Sequence, residues 1–167
     1  MIIKNLDKNH IQEMVEIYLN AYEGLEEYSY NHPVDVEDYI NWLFQRDSQG
    51  IIGAFKQSQL CGFICIDRYW YSKREGKTVG AIHELVVEKS HRRKGIATNL
   101  LKKAFEIFKE SGIDLLELWA GVNNIPALSF YEKMGFIPKE RYSKWVRMVF
   151  YLPQGQIEGE LLKNTAP

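Results

Sequence analysis

Apolar residues recur along this chain with two periods, and the switches between them mark out the elements. Ile11, Met14, Val15, Tyr18 and Leu19 fall on one face of a helix that starts after Asp7. Tyr39, Ile40, Leu43 and Phe44 form the stripe of a second, which begins after Val34, with Asp35 as its cap. Leu100, Leu101, Ala104, Phe105 and Phe108 define a third beyond Gly95, and residues 125–134 a fourth. Between them lie apolar runs of strand length: residues 2–4, 50–55, 59–66, 78–87, 115–120 and 144–151. Residues 56–58 close a hairpin, residues 72–77 make a charged turn, and residues 144–151 belong to a terminal hairpin. Strands come first in the middle of the chain and alternate with helices later, which predicts a mixed α/β sheet. The pattern fits one domain over residues 1–152, followed by a polar tail over 153–167.

Composition narrows the possibilities without choosing among them. A chain of 167 residues with 46% hydrophobic content can bury a proper core. Its formal net charge of −1 argues against a nucleic-acid partner. No apolar run reaches the ~20 residues that span a bilayer, and residues 1–7 lack the apolar centre of a signal peptide. Cys61 and Cys65 lie on one strand and, at regular alternation, face the same side, too far apart for a disulfide. They read as buried small residues in a reducing cytoplasm, and no clustered His or further Cys suggests a metal.

The chemistry concentrates in residues 86–98, Val-Val-Glu-Lys-Ser-His-Arg-Arg-Lys-Gly-Ile-Ala-Thr. An apolar strand ends in a basic turn that opens directly into an amphipathic helix. Unpaired N–H groups and the positive end of the helix dipole make such a place an anion site. Gly95 permits close approach of the main chain, Ala97 is small, and Arg92, Arg93 and Lys94 add positive charge. Pyrophosphate is the ligand this chemistry suits.

Arg92-x-x-Gly95-x-Ala97 resembles the coenzyme A pyrophosphate element of the GNAT superfamily of acetyl-CoA-dependent N-acetyltransferases. Asn124-x-x-Ala127-x-x-Phe130-Tyr131-x-x-x-Gly135-Phe136 is similar to a second segment of that family, in the right order and spacing. The likeness covers roughly residues 50–150. The family often has Pro where Lys89 stands and Gly where Arg93 and Ala97 stand. The resemblance implies the GNAT fold: a mostly antiparallel mixed sheet, flanked by helices, with one parallel strand pair splayed apart. The main chain of Leu85, Val86 and Val87 would hold the pantetheine arm in that gap. The nest over Arg92, Arg93, Lys94, Gly95, Ile96, Ala97 and Thr98 would take the pyrophosphate. Asn124 would contact the cofactor or cap its helix, and Ala127 would leave room beside it.

The implied reaction is direct attack of an amine on acetyl-CoA. An alkylammonium with pKa of about 10 must first lose a proton, and the departing thiolate needs one. Glu84 interrupts an apolar strand and is the candidate base; Tyr131 matches the family's proton donor. His83 is a second candidate base, although on a regular strand it faces away from Glu84. The loop Tyr22-Glu-Gly-Leu-Glu26-Glu27-Tyr28 is rich in aromatics and carboxylates and, with Trp119, suits a small cationic amine. A peptide N-terminus or lysine is the alternative acceptor, and a silent coenzyme A-binding sensor the alternative function. Exposed terminal strands suit a homodimer.

Overall fold

The computed structural model describes residues 1–153, so all but the first residue of the polar tail lies outside the described residues. Strands β1 (Ile2–Asn5), β2 (Ile51–Lys56), β3 (Gln59–Ser72), β4 (Lys77–Val87), β5 (Leu115–Gly121), β6 (Ile137–Tyr142) and β7 (Trp145–Tyr151) form one sheet. Its order is β1-β2-β3-β4-β5-β7-β6. Every neighbouring pair is antiparallel except β4 and β5.

Helices α1 (Ile11–Ala21) and α2 (Pro33–Arg46) cover one face, and α3 (Ile96–Glu110) and α4 (Ile125–Lys133) the other. On the first side Met14, Tyr18, Ile40 and Leu43 pack against Phe63, Cys65 and Val86. On the second, Leu100, Leu101, Ala104 and Phe108 pack against Ile64, Ile82 and Leu116. Burial of these side chains contributes about 1.5–3 kcal/mol each, so the two helical stripes hold the sheet in place. α2 begins one turn earlier than the pattern predicts. His32 is its cap and Pro33 its first residue, where a missing N–H costs nothing; Asp35 sits in the first turn. β3 also runs on to Ser72, beyond the apolar run that announced it, because its polar end pairs with β4.

Both cysteines are free and buried, but they face opposite sides: Cys61 packs with the α3 cluster and Cys65 with the α1–α2 cluster. The cause is a register slip between Ala54–Gly62 and Phe55–Leu60, which leaves Cys61 as the extra residue and inverts the alternation.

One buried polar network ties the sheet's two halves together. The Arg147 guanidinium on β7 donates to Glu117 on β5 at 2.8 Å and to Glu140 on β6, and pairs with Glu75 of the β3–β4 turn at 3.5 Å. Ser72 donates to the same Glu117 oxygen at 2.6 Å. Hydrogen bonding from Arg147 holds the Glu140 carboxyl down at about 2. Arg147→Ala removes the guanidinium from the buried Glu117 carboxyl and leaves it only the Ser72 hydroxyl. Urea unfolding should show a loss of about 3–5 kcal/mol; a loss below about 1 kcal/mol would mean that solvent already reaches Glu117.

Candidate active site

The parallel strands meet only at Gly80–Leu116 and Ala81–Glu117. Beyond these pairs β4 continues for six residues with no β5 neighbour, although β3 still flanks its other side. The Glu88 N–H donates to Cys61 O on β3. By strand alternation the main-chain groups of Val87 and Leu85 therefore point away from β3, into the gap, and those of Val86 do not.

At the end of β4 the chain makes the turn expected from the sequence. Arg93 and Gly95 take left-handed conformations (φ 61° and 79°), and Gly95 caps α3 with no side chain on the free N–H groups of its first turn. Ile96, Ala97 and Thr98 open the helix there. The nest is therefore built from main chain, as an anion site requires. Arg92 plays a different part from the one its charge suggested. Its guanidinium donates to Ala21 O at 2.8 Å and to Val87 O at 3.2 Å, fastening the end of α1 to the end of β4. Lys94 reaches back to Ser90 O, at 3.4 Å. Asn124 caps α4, accepting from the Ala127 N–H at 3.4 Å.

Glu84 lies on the opposite side of β4 from α3, under α1 and α2. It is buried and accepts hydrogen bonds from the Tyr22 and Tyr39 hydroxyls, the latter at 2.8 Å. Burial raises its pKa from 4.5 to about 7, and the two phenol bonds moderate the rise. Burial and the charge of Glu84 in turn keep both phenols protonated, well above their ordinary range.

His83 corrects the expectation from strand alternation. The register of β4 on β3 slips between Cys65–Glu84 and Ile66–Ile82, so His83 is the extra residue of a bulge and lines the same pocket as Glu84. Its Nε2 lies 2.9 Å from Oδ2 of Asp67, and Trp42 and Trp70 meet its ring edge-on. Asp67 is fully buried. Burial alone would raise its pKa, yet hydrogen bonds from His83, Arg46 and the Tyr69 N–H hold it at about 2. Neither Asp67 nor Arg46 stands out in the sequence, since both read as polar ends of apolar elements.

The pocket, about 340 Å³, is lined by Tyr22, Tyr39, Arg74, His83, Glu84, Trp119, Tyr142 and Trp145. Tyr22 and Trp119 were expected there; Tyr39 and Arg74 were hidden in a helical stripe and a charged turn. The rest of the acidic loop lies elsewhere. Tyr28 is a buried strut: its ring packs on Trp145 and its hydroxyl accepts from the Asn123 N–H at 2.9 Å. Gly121 makes room for it, because a Cβ there would come within 2.6 Å of the Tyr28 ring. Glu26 and Glu27 are exposed, and Glu26 accepts the Gly24 N–H of its own turn. Tyr131 is buried between Phe130 and Phe136 on the α4 side. Burial, with the charge of Glu84 adding to it, raises its pKa well above that of a free phenol.

Residues 11–136 match the Acetyltransferase (GNAT) family. An uncharacterized N-acetyltransferase of Methanocaldococcus jannaschii is 37% identical over 147 residues, which is 88% of this chain and 65% of that protein. One from Archaeoglobus fulgidus is 39% identical over 131 residues, 78% of this chain and 89% of that protein. Human N-alpha-acetyltransferase 30 is 38% identical over 66 residues, 40% of this chain and 18% of that protein. A crystal structure from Pyrococcus horikoshii superposes with a TM-score of 0.82 at 38% identity, covering 91% of this chain and 98% of that one. PaiA N-acetyltransferase from Thermoplasma acidophilum, crystallised with coenzyme A, shares the fold at a TM-score of 0.74 and 21% identity, covering 90% of this chain and 98% of that one. With its splayed strands, its main-chain nest and these relatives, the chain belongs to the GNAT family of acetyl-CoA-dependent N-acetyltransferases.

Proposed function

We propose that this chain transfers acetyl from acetyl-CoA to a small primary amine by direct attack in a ternary complex. The observation that carries the reading is a buried carboxyl poised near neutrality, Glu84, at the wall of a pocket that abuts the parted strands. Acetyl-CoA supplies an activated thioester. The residues present fit it: a nest with uncapped N–H groups at one end of β4, and main-chain groups of Leu85 and the Val87 N–H turned into the gap.

Glu84 takes the ammonium proton. With its pKa at about 7, it is ionised in a useful fraction at neutral pH and yet basic enough to accept that proton, directly or through water. Tyr22 and Tyr39 fix its orientation. Tyr131, on the other side of β4, holds a phenolic proton for the departing sulfur. Support for a cationic acceptor comes from the aromatic walls, Tyr22, Trp119 and Trp145, and not from Glu26 or Glu27. The partial match to an N-alpha-acetyltransferase favours a peptide N-terminus as the second reading.

Thiol release from acetyl-CoA, measured over polyamines, amino sugars, amino acids and peptides beside calorimetric cofactor binding, tests this function. Binding with turnover on one amine class supports it; failure to bind acetyl-CoA overturns it. Tyr131→Phe should lower kcat about 10–100-fold with acetyl-CoA affinity within about twofold. Equal losses in both would make Tyr131 a packing residue.

Glu84→Gln should abolish the rise in kcat/KM through pH 7 and push the optimum upward, towards pH values where the amine is already deprotonated. Thermal unfolding gives an independent check. The folded carboxyl keeps its proton up to about pH 7 while the unfolded one loses it near 4.5. The wild type therefore loses stability as pH rises between those values, and the Gln variant should lack that loss. Parallel Tm curves for the two proteins would place the Glu84 pKa near its ordinary value.

A further inference from the structure

Arg74 is the one arginine or lysine that lines the pocket among the described residues. It sits in the turn before β4, and the phosphate nest follows the far end of that 11-residue strand, about 35 Å away along an extended chain. Service to the pyrophosphate is therefore out of its reach. Its guanidinium lies 5.4 Å from the Trp119 ring centre and 5.9 Å from that of Tyr142, both pocket walls. Ring contacts of this kind steady a guanidinium and leave its N–H edge free to form a forked pair. The anion beside it satisfies it poorly. Glu140 is 3.4 Å away through Oε2, and both Glu140 oxygens already accept from Arg147. The Arg74 side chain keeps 40% of its surface exposed.

The pocket therefore carries a proton acceptor, Glu84, and separately a half-used planar donor. We infer that the acceptor is an amine that also bears a carboxylate, with the amine directed to Glu84 and the carboxylate to Arg74. This rests on the acetyl-transfer reading and names its substrate class. A diamine of the same length sets an ammonium against Arg74, which disfavours it. Two sources share the chemistry: a free amino acid, or a short peptide with an acidic group near its N-terminus.

Quenching of intrinsic tryptophan fluorescence, to which Trp119 and Trp145 in the pocket contribute, reads acceptor binding without turnover. Titrations in saturating coenzyme A would compare amino acids of increasing length with their amides, with diamines, and with dipeptides bearing Asp or Asn in second place. A charged forked pair contributes about 10–100-fold in affinity. The wild type should favour carboxylates over matched amides by that factor, Arg74→Gln should erase the preference, and Arg74→Lys should retain part of it. Unchanged thermal unfolding of both variants would confirm intact folding. Preference for free amino acids over Asp dipeptides assigns the first source, and the reverse assigns the second. Equal binding of amides or diamines by the wild type, a preference that survives in Arg74→Gln, or no binding of any ligand overturns the inference. Carboxylate-selective binding without thiol release would leave it standing and would count against acetyl transfer alone.

Discussion

The candidate site of this protein depends on the parting of β4 from β5. Two parallel strands joined at only two residue pairs leave the C-terminal half of β4 without a β5 partner for its main chain. The sheet tolerates the gap because its halves are fastened elsewhere. Arg147, Glu117, Ser72 and Glu75 lock the paired end, while the helices on each face hold the open end through apolar contact. The bulge at His83 falls just past the last β4–β5 pair, and this one irregularity brings the His83 and Glu84 side chains to the same pocket.

The site separates two carboxyls by environment alone. Asp67 and Glu84 both lie under the helical face of α2 and both are buried. Asp67 meets a guanidinium, an imidazole and a main-chain N–H, which keep it ionised and suit it to orienting His83. Glu84 meets only phenols and an apolar wall, so its proton is held until near neutrality. Pushing like groups apart in pKa is a general way to divide structural from chemical work.

Tyrosines show why residue type alone is a poor guide. Tyr22 and Tyr28 stand six positions apart in one loop, yet one hydroxyl meets the candidate base and the other props the turn after β5. Their parts were decided by which elements packed over them. Arg92 is a similar case: its charge promised a phosphate contact, and the nearby carbonyls of Ala21 and Val87 took the guanidinium.

Local chemistry was legible in the sequence wherever periodicity or turn geometry sufficed. The helical stripes, the strand runs and the Gly95 turn each depend on residues close in the chain, and the paired motifs identified the family through the same local rules. Glu84 and Tyr131 stood out because a carboxylate in an apolar strand and a tyrosine in a family motif are visible one residue at a time. Register was not legible. A single extra residue, Cys61 or His83, inverts the facing of all that follows, and only pairing with a neighbouring strand decides where it falls. The convergence of Arg74 and Tyr39 on one pocket likewise came from contacts between elements far apart in the chain. The sequence by itself determined which segments fold and which turn builds a main-chain nest at the start of α3. The tertiary structure alone decided which side chains share a cavity, because burial and distance are properties of packed elements and not of spacing.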